Sequence, residues 1–333
     1  MDSICSPEMP RRAFLAAIAA GLLAAPPVVE AQPAVKVWRI GYLDPFALTF
    51  GTPQTLKRAL GERGWVEKRD YVFEGRWADR EPERLREFAA ELVRLKVNVI
   101  VARGIEAAVA ASRATRDIPI VFVDVADPVG SGLVGSLARP GANVTGLASV
   151  AGETAAKQLG LLHETLPRIS LVDVLWVGMT QPDAAVNKDI EETGRRLGIA
   201  LRSMLVTDQG GLQRALSALS QSPPGAALVY ADELESGYFQ TLGRFAGERR
   251  LPIASNAVAL TWFGGLMSYS RSLAEEWERA AEYVLRIRKG ERPADLPVQQ
   301  PTRFELVINL KTAKALGLTI PPSLLQRADQ VIE

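Results

Sequence analysis

The amino-acid sequence predicts an α/β protein made of two lobes. The first sign is the run from Ile120 to Val125, a nearly unbroken series of β-branched and aromatic residues typical of a strand covered by helices on both faces. Pro128 and Gly130 follow it, so the strand ends in a polar, glycine-rich loop, where open α/β sheets bind ligands. An ordinary strand-to-loop connection fits this stretch equally well. The second sign is an alternation of strands and helices up to residue 150, and the third is a second copy that begins near Glu153.

Elements of the first half follow from hydrophobic spacing and from the positions of proline and glycine. Leu56 and Leu60 recur at helical spacing ahead of Gly64, which is a typical helix stop, and Pro82 opens a strongly periodic helix. The predicted strands are 35–43, 71–77, 97–101, 120–125 and 144–150, and the predicted helices are 53–63, the helix that opens at 81, and 104–115.

The second half repeats the pattern and then departs from it. Predicted helices are 153–166, 183–197, 212–220 and 238–249, and predicted strands are 171–177, 199–206, 226–230 and 251–255. After Gly264 and Gly265 come a strand at 266–269 and a long amphipathic helix at 273–289. The proline-rich segment 292–301 shows no periodicity and is predicted to cross between lobes, and the strand 304–310 and the segment 316–332 close the chain.

Composition limits the class of partner. The chain has 333 residues, of which 47% are hydrophobic and 23% charged, which is enough for two domains with full cores. Lysine and arginine number 39 and aspartate and glutamate 38, so no general basic field exists to attract nucleic acid. We therefore expect no nucleic-acid partner.

Residues 1–31 have the features of an export signal peptide. Arg11 and Arg12 precede an alanine-rich apolar run that is too short to span a bilayer comfortably, and the small residues before position 32 fit cleavage after Ala31. The paired arginines resemble a twin-arginine signal, with Pro10 in place of the usual serine or threonine. The general secretory route stays open, as does a true start at Met9.

The cysteine and histidine content argues against an enzyme. The one cysteine, Cys5, precedes the apolar run, so the protein is not expected to be a lipoprotein, and the mature chain would lack a thiol for disulfides or metal. The one histidine, His163, has no partner at catalytic or metal-binding spacing. No nucleophile elbow, dinucleotide fingerprint or phosphate-binding loop occurs at a strand-to-helix turn. We predict no catalytic residues, cofactor or metal.

Four stretches together resemble one family. They are RWADREPERLREFAAELVRLKVNVIVARG, IPIVFVDVADPVGSGLVGSLARPGANVTGL, GGLMSYS and KGERPADLPVQQPTRFELVINLKTAKALGLTIPPSLLQRADQVIE. The sequence resembles the ABC-transporter substrate-binding proteins of periplasmic-binding-protein type I fold, which include binders of tryptophan and other aromatic amino acids. The resemblance implies two doubly wound, Rossmann-like lobes joined by three crossings, with a ligand cleft between them. Lobe one would hold residues 35–147 and 263–296, and lobe two residues 148–262 and 297–333.

The resemblance also implies which residues line the lobe-one side of the cleft. These are Asp44, Phe46, Arg103, Gly104, Ile105, Asp124 and Asp127. The helix start at Gly104 suits a carboxylate, and Arg103 could add a bidentate contact, although a solvated surface arginine is the commoner case. Ile105 stands where many relatives have threonine. Asp124 could bind an ammonium group, whereas for Asp127 we favour a loop cap.

On the lobe-two side the resemblance implies Tyr230, Asp232, Asn256 and Trp262. Asp232 matches the acidic position that the family places near an amine. Trp262, Phe263 and Phe46 could form an apolar stacking pocket, or any of them could belong to a core.

The function implied is that of an exported solute-binding protein of an ABC importer. It would be a periplasmic monomer that closes its lobes on a small polar ligand, such as an amino acid or a related compound, and delivers it to an ABC permease in the inner membrane. Two alternatives stay open: a ligand-sensing module for a receptor protein and, least favoured, an exported α/β enzyme.

Overall fold

The structure is a computed structural model that describes residues 37–46, 52–179, 181–182, 184–221, 225–231 and 236–333. Residues Trp38–Glu333 form one compact unit. The predicted signal peptide and Asp232 lie outside the described residues.

The first sheet has five parallel strands in the order β2-β1-β3-β4-β5. Its strands are β1 (Trp38–Asp44), β2 (Tyr71–Trp77), β3 (Val99–Arg103), β4 (Ile120–Val125) and β5 (Val144–Ala148), connected through the helices α1 (Thr52–Glu62), α2 (Pro82–Arg94) and α3 (Gly104–Ala114). The chain runs outward to β2 and then returns past β1 to β3, so β1 and β3 flank a topological switch point, where sheets of this kind bind ligands.

The second sheet has seven strands in the order β12-β11-β10-β9-β8-β6-β7, all parallel except the β10–β11 pair. Its strands are β6 (Leu171–Val177), β7 (Ala200–Val206), β8 (Ala226–Ala231), β9 (Ile253–Ser255), β10 (Met267–Arg271), β11 (Phe304–Asn309) and β12 (Gln330–Ile332). The remaining helices are α4 (Ala151–Thr165), α5 (Ala184–Leu197), α6 (Gln209–Ser220), α7 (Ser236–Arg249), α8 (Val258–Trp262), α9 (Leu273–Arg288), α10 (Leu310–Leu316) and α11 (Pro322–Leu325), with one 3₁₀ turn at Pro293–Asp295. The predicted α/β class with two doubly wound lobes is confirmed.

Each sheet is covered on both faces, as the strand composition predicts. Helix α9 packs on the first sheet through Trp277, Tyr283 and Val284, in one core with Ile40 and Tyr42. Burying an apolar side chain of this size contributes about 1.5–3 kcal/mol, so the helix is fixed to lobe one by its apolar face.

The expected lobe boundary at residue 263 is wrong. Strand β10 lies in the second sheet, where Met267 pairs with Ala254 of β9 and with Ile308 of β11. Leu266 and Met267 are buried in the lobe-two core, and this burial holds the strand there. The chain returns to lobe one only with α9, so the crossing is at Ser272.

The proline-rich segment is also placed differently from the prediction. Most of 292–301 belongs to lobe one, since Leu296 and Val298 are buried in the lobe-one cores. Gln299 pairs with Leu147 beside β5, three residues past the expected end of lobe one at 296. The third crossing therefore begins after Gln299.

Candidate ligand-binding cleft

The carboxyl ends of β1, β3 and β4 meet at one edge of the first sheet. Parallel pairing brings Leu43 beside Ala102 and Arg103 beside Val123, so the ends of these strands are neighbours. Asp44, Arg103, Gly104 and Asp124 consequently lie along that edge, on both sides of the switch point.

Asp44 is an inner support of this edge. Its side chain is almost fully buried, with Oδ2 accepting a hydrogen bond from the Tyr42 hydroxyl at 2.7 Å and Oδ1 accepting one from the Phe46 amide at 2.9 Å. Nη1 of Arg103 lies 3.6 Å from Oδ1. The buried carboxylate thus orients both the arginine and the aromatic residue.

Phe46 packs against two guanidinium groups. The Cζ atoms of Arg103 and Arg80 lie 4.9 and 5.0 Å from its ring centroid, within the range of cation–π interaction. The amide of Arg80 donates to the Pro45 carbonyl at 2.6 Å, which fixes the turn after β2 to the exit of β1. We did not predict Arg80 from the sequence, although it belongs to the RWADREP stretch that carries part of the resemblance.

Arg80 also connects the lobes. Its Nη1 donates a hydrogen bond to the carbonyl oxygen of Gly178, which follows β6. The two lobes therefore contact each other through a residue that also covers Phe46.

The start of α3 presents backbone donors at the same edge. Arg103 is the extended N-cap, and Gly104 begins the helix with φ +73, a left-handed conformation that favours glycine. The first amides of a helix have no intrahelical acceptor and carry a partial positive charge. Ile105 is half-buried against the lobe-one core, so its side chain contributes packing there.

Asp124 points out of the regular strand. The register of β4 against β5 shifts between Val123 and Val125, and Asp124 has φ +62 at this bulge. Its Oδ2 lies 2.6 Å from Nη2 of Arg271, at the end of β10. The carboxylate is thus engaged by a cation from the other lobe.

Arg271 makes a second ion pair, with Glu276 of α9. Its Nε lies 2.8 Å from Oε2 of Glu276. Burial opposes the charge of Arg271, but Asp124 and Glu276 outweigh it and raise the pKa of the guanidinium. Burial raises the pKa of Glu276 despite the neighbouring Arg271. We missed both residues in the sequence, where the GGLMSYS stretch directly precedes Arg271.

Tyr230 and Asn256, two of the predicted lobe-two residues, lie at the ends of β8 and β9. Tyr230 is buried with its ring 5.5 Å from that of Trp176. Asn256 accepts a hydrogen bond from the Ala231 amide at 2.8 Å and donates one to the Ala231 carbonyl at 2.9 Å. Its side chain thus fastens the end of β8, directly before Asp232.

Two further predicted residues have local structural contacts. Oδ1 of Asp127 accepts from the Gly130 amide at 2.7 Å, in agreement with the favoured loop cap. Trp262 ends α8, which packs on α7, β9, β10 and β11, all of lobe two, and its side chain is 57% exposed. No ring contact between Trp262 and Phe46 occurs among the described residues.

A family model described as "ABC transporter substrate binding protein" matches residues 50–332. The chain belongs to this family. Members of the family capture small ligands and deliver them to ABC permeases, and they are binding proteins rather than enzymes. The match confirms the family resemblance found in the sequence of this substrate-binding protein. Proteins of the family are typically extracytoplasmic.

Its relatives include a curated protein, the tyrosine-binding protein of Clostridioides difficile (strain R20291), which is 24% identical over 262 residues, or 78% of this chain and 75% of the relative. Among solved structures, a conserved domain protein from Vibrio cholerae has TM-score 0.75 and 26% identity, covering 89% of this chain and 100% of that one. An ABC domain from Streptococcus pneumonia in complex with L-Trp has TM-score 0.76 and 24% identity, with the same coverage of both chains.

The described part of the substrate-binding protein has neither a metal-binding cluster nor a membrane-spanning helix. Within it, no group of three or more histidine, cysteine, aspartate and glutamate side chains is placed to hold a metal ion. None of the helices described is both long enough and apolar enough to cross a bilayer.

Proposed function

We propose that this substrate-binding protein is the exported receptor of an ABC importer and that its ligand is an amino acid, with an aromatic L-amino acid favoured. The observation that carries the proposal is that Arg103, at the switch point of lobe one, is the residue that caps the start of α3. A guanidinium fork beside the first amides of a helix, which have no intrahelical acceptor, matches the geometry and charge of a carboxylate.

The supports of Arg103 strengthen this assignment. Asp44 and Phe46 hold the guanidinium from two sides, so little side-chain entropy remains to be lost when a carboxylate binds. Asp44 itself is almost fully buried, so its part is to orient Arg103.

An acidic partner for the ligand amine is proposed in lobe two. Asp124, which the sequence analysis offered for this part, is engaged by Arg271. Asp232 directly follows β8, whose end is fastened by Asn256, so we assign the ammonium group to Asp232.

The aromatic preference rests on aromatic surfaces and on the relatives. Phe46 and the Trp176–Tyr230 pair offer rings on the two sides of the cleft. The tyrosine-binding relative and the L-Trp complex support the same chemistry for this chain.

The test is to identify the ligand directly. Mass spectrometry of small molecules released by denaturing the purified protein, followed by titration calorimetry with the L-amino acids, should find an aromatic amino acid. Arg103→Gln should weaken its binding by about 100-fold, because a charged bidentate contact is lost. Arg113→Gln, an exposed arginine on the same helix, is the control and should bind normally. Normal binding by Arg103→Gln would show that the ligand carboxylate does not bind at this edge.

Import and sensing are separated by uptake. In cells that lack the protein, accumulation of the radiolabelled amino acid should fall if it serves an importer. Unchanged uptake, with loss of a transcriptional or behavioural response to the amino acid, would favour the sensing module.

A further inference from the structure

The crossing between β10 and α9 consists of Ser272 alone. Strand β10 ends at Arg271 in the second sheet, and α9 begins at Leu273 against the first. Arg271 is therefore the last lobe-two residue before the pivot, and its side chain extends across the pivot to lobe one.

Its guanidinium makes two different kinds of contact there. Glu276 is only five residues away and lies just beyond the pivot, so rotation about Ser272 changes its distance from Arg271 little. Asp124 belongs to β4, far from Arg271 in sequence, so the same rotation separates this pair. One contact is local to the hinge, and the other depends on the angle between the lobes.

Asp124 reaches Arg271 from a strained backbone conformation. A non-glycine residue at φ +62 in a strand bulge persists only where its surroundings fix it. The next residue, Val125, accepts a hydrogen bond from the Ser149 amide at 2.9 Å, at the first crossing. The Arg271–Asp124 pair thus connects two of the three crossings.

Glu276 has one carboxylate oxygen that the ion pair with Arg271 does not use. Its side chain is 7% exposed, and Oε1 is buried with no hydrogen-bond partner among the described residues. It lines a pocket that the three crossings surround, with Ala148, Ser272 and Gln300 on its walls. A buried carboxylate oxygen of this kind accepts a charged donor readily.

We propose that Arg271 is a two-position hinge switch. With the lobes in contact it bridges Asp124 and Glu276, as seen here. When the lobes open, Arg271 releases Asp124. Its Nη2, which contacted Asp124, then donates to Oε1 of Glu276 while Nε stays on Oε2, so both nitrogens bind the one carboxylate. The guanidinium has a carboxylate partner in both positions, so both are stable and the balance between them sets the resting lobe angle. The switch does not depend on which ligand the protein takes.

The test measures the lobe angle without ligand, by pulsed electron spin resonance between two spin labels. Cys5 is the one cysteine, so a Cys5→Ser chain with Glu87→Cys on α2 and Glu192→Cys on α5 carries a single label in each lobe. Both label sites are exposed. Asp124→Asn should lower the ratio of closed to open molecules by about tenfold, since a charged pair of the closed state is lost. Asparagine tolerates the left-handed conformation, so the bulge is retained.

Glu276→Gln separates switching from simple stabilisation. It weakens the open position more than the closed one, so the ratio of closed to open molecules should rise. Arg271→Lys, whose compact ammonium cannot reach both carboxylates, should give a ratio between those of the wild type and Asp124→Asn. Glu291→Gln, which breaks a pair with Arg286 within lobe one, is the control and should leave the distances unchanged.

An unchanged ratio in Asp124→Asn overturns the proposal. A fall in both Asp124→Asn and Glu276→Gln also overturns it, because two stabilising contacts of one state would explain that result. Binding of an amino acid is not needed for either outcome, so failure of the ligand assignment would leave this test intact.

Discussion

Nη1 of Arg103 lies 3.6 Å from Oδ1 of Asp44, and both side chains are buried at the switch point of lobe one. The Asp44 carboxylate also accepts hydrogen bonds from the Tyr42 hydroxyl and the Phe46 amide. One side chain therefore positions the residues of the proposed site for the ligand carboxylate.

Asp44→Ala should therefore affect folding as well as binding. Breaking a buried pair and leaving its partners without an acceptor costs about 3 kcal/mol in the free energy of unfolding. Urea denaturation measures this loss, and Asp117→Asn, an exposed carboxylate near α3, is the control. A loss under about 0.5 kcal/mol would contradict the supporting role given to Asp44.

Arg80→Ala should accelerate ligand release. The substitution removes both the cation–π contact with Phe46 and the hydrogen bond to Gly178 in the other lobe. We expect the dissociation rate of the bound amino acid, measured by stopped-flow tryptophan fluorescence, to rise about tenfold with little change in association. Arg86→Ala removes an exposed pair with Glu83 on α2 and should release the ligand at the normal rate.

Asn256→Ala should loosen the end of β8. Two hydrogen bonds to Ala231 disappear, at a cost of about 1–3 kcal/mol in the free energy of unfolding. If Asp232 binds the ligand amine, affinity should fall too, because its strand end is no longer held. Asn187→Ala, which loses an exposed contact with Glu191, should have neither effect in urea denaturation or calorimetry.

The pair of Arg76 and Glu91 predicts a pH dependence of stability. Hydrogen bonding to Arg76 lowers the pKa of Glu91 below its ordinary value of 4.5. A lowered folded-state pKa gives stability that is present above pH 4.5 and is lost as the pH falls through the folded value. Glu91→Gln should cost about 0.5 kcal/mol at pH 7, after allowance for solvent screening, and less at pH 3. An equal cost at both values would show that the charge contributes nothing.

The proposed export, with cleavage after Ala31, predicts where the mature chain begins. Protein isolated from the periplasm should begin at Gln32, as measured by intact mass. Replacing Arg11 and Arg12 by lysine should block export if the twin-arginine route is used, and should leave it unchanged if the general route is used.

Long, strongly patterned elements could be predicted from the sequence almost to their ends. Strands β2, β4 and β6 have the predicted bounds. For β4 and β6 the reason is that a buried, valine-rich run next to a proline or a glycine has few alternative conformations. The short elements α8, α10, α11 and β12 were not predicted, since a few residues carry no periodicity and form only because the neighbouring lobe-two elements pack around them.

The family resemblance, and not the hydrophobic pattern, pointed to Asp44, Arg103 and Gly104 as site residues. In the structure they lie at the end of β1, at the end of β3 and at the start of α3. Arg80, Arg271 and Glu276 were not predicted. They lie on a turn, at the end of a strand and in the first turn of a helix, where a charged residue is usually solvated and its sequence neighbours give no sign of a partner in another element.

The sequence by itself determined the α/β class, the two lobes and the family, because local hydrophobic periodicity and motif spacing are properties of the chain alone. Tertiary structure decided that β10 stays in lobe two, that Ser272 is the crossing and that Arg271 joins Asp124 to Glu276. These depend on which sheet edge offers free backbone partners and on distances between residues far apart in the chain, which only the packed structure sets.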